Sequence, residues 1–215
     1  MCIRDRICKG VVSASDEYYT LYNTSKFDTD FVRQRALVNM SENRDLKWYA
    51  NLIGITYAAD STKSQDKEAS RKLLKKALLW FTESLKYDKT FFPAMANKID
   101  SEIILDNYSD SSFDAGANEL LRTYYMYPGK EYIGYAGILY FEEVLGTHGG
   151  NIIINKQKLD KIDLSREFIE REIDLYGGEP VLYETLSRIY GFLGRADMKE
   201  KYDYLLESQS SNRRL

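Results

Sequence analysis

The one imidazole in the chain, His148, stands in Thr147-His148-Gly149-Gly150-Asn151, a stretch that predicts a turn and supplies no second group to support a base. Cys8 has no identifiable histidine to activate it. Zincin chemistry is excluded for want of a His-Glu-x-x-His run, and neither a Gly-x-x-x-x-Gly-Lys-Ser/Thr phosphate loop nor a Gly-x-Ser-x-Gly elbow is present. The acid pairs Glu142-Glu143 and Glu170/Glu172 are the ordinary pattern of solvated helix faces, and nothing aims two carboxylates at one cleft. The expectation is no catalytic residue, no metal site and no cofactor. What the chain has in abundance is tyrosine, 18 of them, suited to packing or to gripping a partner.

The elements that position these residues follow from composition and periodicity. At 215 residues, 44% apolar and 29% charged, the chain is long enough for a substantial core and too apolar for disorder. Only 3 prolines interrupt it, which favours long helices. No apolar run reaches the ~18–20 residues of a membrane-spanning helix. A net charge of −3 gives no basic footprint for nucleic acid, so the tyrosines and tryptophans are not a base-stacking platform.

Residues 1–6, Met1-Cys2-Ile3-Arg4-Asp5-Arg6, back-translate to a stretch resembling the transposon end of a sequencing-library adapter. They are set aside as a scar, which implies that the chain is a metagenomic-type fragment with upstream residues missing. Without the scar the formal charge is −4 and Cys8 is the one remaining thiol, too few for a disulfide or a zinc cluster. Residues 7–15 form a linker or the remnant of a signal peptide, with Val12-Ser13-Ala14 as a cleavage-type ending. Cytoplasmic residence is favoured, with export to the periplasm as the alternative.

Apolar residues recur at three- and four-residue spacing over 46–59, 72–87, 93–108, 115–127, 132–145, 164–176, 180–193 and 198–207, after a first stretch ending at Met40. The polar segments 60–70 and 146–160 are expected as exposed insertions, and 208–215 as a disordered tail. The chain is expected to be all-α, with no strand.

The helices carry an internal repeat. Gly54-Ile55-Thr56-Tyr57 recurs as Gly137-Ile138-Leu139-Tyr140, with Ile104-Leu105-Asp106-Asn107-Tyr108 between them and Tyr183-x-x-Leu186-Ser187-x-x-Tyr190 near the end. In the alternate helices a small residue precedes a large one by four: Ala77/Phe81, Ala117/Leu121, Ser165/Ile169 and, weaker, Met198/Tyr202. This resembles the tetratricopeptide repeat, whose first helix carries an aromatic, Leu-Gly and Tyr. The markers Phe81, Leu121, Ile169 and Tyr202 lie 40, 48 and 33 residues apart, against a family period of about 34, so the longer intervals imply insertions. The family's closing proline is replaced by Lys89, Gly129 and Gly177. The resemblance implies a tetratricopeptide-like α-solenoid of antiparallel helix pairs in a right-handed superhelix, with four to five pairs over 16–207.

It also implies a binding activity. In this family the first helices line a concave groove that holds peptides. Carried over, the lining is Trp48, Asn51, Glu102, Asp106, Glu131, Phe141, Glu142, Glu184, Arg188 and Phe192. Acidic side chains predominate, which would repel a C-terminal carboxylate and suits a basic or amphipathic protein segment. The expected function is a non-catalytic protein–protein interaction scaffold. The alternative is the recognition module of an enzyme whose catalytic domain lies upstream.

Overall fold

The computed structural model describes residues 14–25, 28–128, 132–146 and 155–212, and every regular element among them is an α-helix. In chain order these are α1 (Ala14–Thr24), α2 (Thr29–Ser41), α3 (Leu46–Lys63), α4 (Lys67–Tyr87) and α5 (Phe92–Leu105). Then come α6 (Asp110–Met126), α7 (Tyr132–Leu145), α8 (Lys156–Tyr176), α9 (Pro180–Phe192) and α10 (Ala196–Asn212). The scar, Cys8, Glu131, His148 and the Ile152-Ile153-Ile154 run lie outside the described residues.

Short polar side chains start the helices. Asp28, Asp66, Ser109 and Asn155 each accept a hydrogen bond from a first-turn amide of α2, α4, α6 and α8, a cap that stabilises a helix by about 1 kcal/mol. Pro180 occupies the first turn of α9, where its missing N–H costs nothing.

Two segments expected outside the helices belong to them. α3 continues to Lys63 and α4 begins at Lys67, leaving a three-residue connection where an exposed insertion over 60–70 was expected. Polar side chains here are partnered across helices: Asp60 accepts from Thr29 Oγ1 at 2.8 Å and from Arg33 Nη1 at 2.6 Å, and the Ser61 and Ser70 hydroxyls lie 2.9 Å apart. Likewise α10 runs to Asn212, so 208–212 is helical and not a disordered tail, and Gln209 Nε2 donates to the Gly178 carbonyl at 2.8 Å. α8 begins at Lys156, eight residues before the predicted 164.

The chain divides into two compact units, Met1–Leu105 and Asp106–Leu215. The stretch expected as one repeat domain, 16–207, spans both, and the division separates α5 from α6, which the repeat spacing assigns to one copy. In the first unit α3 is central, packing on α2 and α4 and also on α1 and α5. α3 and α4 are antiparallel: Ser84 Oγ donates to the Lys47 carbonyl at 2.6 Å near one end, and Ser61 meets Ser70 at the other. Midway, a β-carbon on Gly54 would fall under 3.0 Å from the ring of Phe81, which is itself buried. Glycine is required there by close approach.

The second unit repeats the arrangement. α7 packs on α6, α8 and α9, and α9 on α8 and α10. α7 and α8 are antiparallel, and a β-carbon on Gly137 would lie 2.8 Å from Ile169 Cγ1 and from the Ser165 carbonyl. Ser165 Oγ donates to the Gly137 carbonyl at 2.6 Å. The core gathers Phe141, Val144, Ile162, Ile169, Leu182, Leu186, Ile189 and Tyr202, each worth about 1.5–3 kcal/mol on burial. Tyr190 stacks on Tyr202 with centroids 5.6 Å apart. Glu172, buried in this unit, accepts the Gly134 amide at 2.5 Å, satisfying an orphan N–H in the first turn of α7.

Candidate functional site

In the first unit a small pocket opens where α1 meets the start of α3. It encloses about 110 Å³ and is lined by Tyr18, Tyr19, Asp45 and Trp48. Adjacent residues Tyr18 and Tyr19 occupy different parts of the α1 surface, so Tyr18 is buried in the core while Tyr19 is 60% exposed. Trp48, in the first turn of α3, meets the Tyr18 ring edge-to-face at 4.9 Å and the Phe91 ring at 4.5 Å. Burial pushes the Tyr18 phenol up to about 12, so it stays protonated at any physiological pH.

Asp45 sits at the N-cap of α3 with φ +37° and ψ +49°, the left-handed region that aspartate and asparagine tolerate better than most residues. Its side chain makes no capping bond, although aspartate is a preferred cap. The neighbouring cations are engaged elsewhere. Arg44 Nε pairs with Glu42 at 3.0 Å and its Nη1 lies 4.0 Å from Glu17. Lys47 Nζ pairs with Asp88 at 2.6 Å and lies 5.3 Å from the Phe91 centroid. The Lys47 hydrogen bond holds the Asp88 carboxyl below its ordinary value.

The residues carried over from the repeat resemblance separate into distinct groups. In the first unit Trp48 lines the pocket, while Asn51 is interior, its Oδ1 accepting from Asn97 Nδ2 at 3.0 Å and its Nδ2 buried without a partner. Glu102 is half-exposed and paired with Lys98 at 3.1 Å.

In the second unit Asp106 accepts from Ser109 Oγ just before α6. Phe141, Glu142 and Arg188 come together: Arg188 Nη1 lies 2.7 Å from Glu142 Oε1, and its guanidinium lies 5.3 Å from the Phe141 ring. Phe141, however, is 1% exposed and belongs to the core, because α7 is apolar on more than one face, meeting α6, α8 and α9. Glu184 and Phe192 are exposed on α9.

In the second unit Lys161 is shared by two carboxylates from different helices. Lys161 Nζ lies 2.8 Å from Asp114 Oδ1 and 2.5 Å from Glu143 Oε1, and 5.4 Å from the Tyr140 centroid. Burial raises the Glu143 carboxyl against the opposing pull of Lys161. Lys161 binds both acids, so the cluster ties α6, α7 and α8 together. Among the described residues no group of three His, Cys, Asp or Glu side chains is placed to hold a metal. No helix among them is long and apolar enough to cross a membrane.

No family model, no curated protein and no solved structure matches the chain. Of the four residues that line the pocket, the repeat register had singled out Trp48 and none of Tyr18, Tyr19 and Asp45. The run Tyr18-Tyr19 with Tyr22 one turn on was the available signal, in a stretch whose repeat pattern is weak.

Proposed function

We propose that the chain is a non-catalytic interaction scaffold built of tetratricopeptide-like helix pairs, which binds a basic or amphipathic segment of a partner protein. The observation that carries this reading is the alternation of contacts: α3 touches α1 and α5 as well as its sequence neighbours, and α7 touches α9. Odd-numbered helices thus share a layer within each unit, as expected where hairpins stack into a solenoid, right-handed by the family resemblance. The Gly54/Phe81 and Gly137/Ile169 approaches support the same reading, because they put small against large at the repeated positions. The aromatic pocket lies on this odd-helix layer, between α1 and α3.

The test is binding of fluorescent 15-residue peptides to the full chain, in basic amphipathic, acidic and neutral sets. The scaffold reading expects saturable binding confined to the basic amphipathic set, weakened by salt. A folded protein that binds none of them, or the acidic set equally well, overturns it.

A further inference from the structure

We propose that the pocket of Tyr18, Tyr19 and Trp48, with Asp45 at its edge, receives the ammonium end of a lysine side chain in the partner segment. This rests on the partner-binding reading and names the chemistry the segment presents at one place.

Two features select a cation. Aromatic faces attract cations within about 6 Å of their centroids, and here the Tyr18 centroid lies 4.9 Å from Trp48 and 5.7 Å from Tyr19. The three rings line the pocket together, so a charge in it has aromatic neighbours. Asp45 adds a formal negative charge that no described residue pairs with. It is exposed, it forms neither a cap bond nor an ion pair among the described residues, and the cations on either side of it, Arg44 and Lys47, are directed to Glu42, Glu17 and Asp88. The Asp45 carboxylate at the pocket's edge favours a cationic tip over an anionic one.

Size is compatible with this choice. The space, about 110 Å³, takes the end of an unbranched alkylammonium chain. The left-handed backbone at Asp45 is a local cost retained beside this pocket, a placement common at ligand sites.

The experiment uses the full chain carrying Trp80→Phe, a conservative exchange that leaves Trp48 as the one indole reporter. Its fluorescence is titrated with N-acetyl-lysine methylamide, with tetramethylammonium chloride and with uncharged 3,3-dimethylbutan-1-ol. The proposal expects saturable responses to both cations and none to the alcohol at equal concentration. Asp45→Asn, which keeps a residue tolerant of left-handed φ, and Tyr19→Ala, at an exposed position, should each weaken lysine-amide binding about five- to tenfold.

No saturable response, an equal response to the alcohol, or unchanged affinity in Asp45→Asn overturns the proposal. A response to tetramethylammonium without one to the lysine amide also overturns it, assigning the pocket to a free quaternary amine. The two readings fail separately. Peptides that bind Asp45→Asn as well as they bind the parent remove the lysine site and leave the scaffold. Lysine-amide binding with no peptide binding does the reverse.

Discussion

Phe81 occupies the space that a side chain on Gly54 would need. A β-carbon there would stand under 3.0 Å from the ring, and the ring is 1% exposed with nowhere to retreat. Gly54→Ala gains about 1 kcal/mol of helix propensity but overpacks the α3–α4 contact by about 1–3 kcal/mol. Net destabilisation is expected in urea unfolding followed by circular dichroism. Phe81→Leu should cost less when combined with Gly54→Ala than it does alone, and equal costs in both backgrounds would show that the ring does not set the requirement.

Glu172 offers a second test of the interior. Glu172→Ala strips the acceptor from the Gly134 amide and should lose about 1–3 kcal/mol, whereas Glu172→Gln retains an acceptor and should lose less. Equal losses in the two variants would mean that volume, and not the hydrogen bond, is what matters there.

Acid should expose the Lys47–Asp88 pair. The folded-state pKa of Asp88 lies below its ordinary value of 3.8, first because Lys47 donates to it. The pair's contribution is then present above about pH 4 and fades as pH falls through the lowered value. For a partly exposed pair it amounts to under about 1 kcal/mol. The stability gap between parent and Asp88→Asn should narrow between about pH 5 and pH 2. A gap constant across that range would sink this assignment.

Charge reversal tests the acidic surface. Glu102→Lys and Glu184→Lys should each weaken binding of a basic peptide about three- to tenfold while leaving the fold intact. Glu102→Lys additionally places two lysines at i, i+4 with Lys98, a cost of a few tenths of a kcal/mol. Unchanged peptide affinity in a folded double variant would remove these acids from the binding surface.

Helix content was legible in the sequence because apolar spacing is a local property. α7 matches its predicted span, 132–145, end for end. The first turns of α8 escaped because Ile162 is the only buried residue between Lys156 and Leu164, so periodicity has little to act on, although the Asn155 cap was there to be seen. The proposed binding surface was less legible. Phe141 was assigned to it from register alone, but register does not reveal that α7 is covered on several sides. Tyr18 and Asp45 meet only because α1 packs against α3, a long-range contact that no local spacing encodes.

The two serines that cross the hairpins carry a further consequence. Ser84 and Ser165 are fully buried, and each spends its hydroxyl on a backbone carbonyl of the paired helix, Lys47 and Gly137. Apolar ridges alone would let one helix slide past its mate by a turn with modest loss. A slide here breaks that bond and leaves the hydroxyl to fall back on a carbonyl of its own helix, a loss of about 0.5–1.5 kcal/mol for each one. These serines therefore act as keys that fix the alignment of α4 on α3 and of α8 on α7.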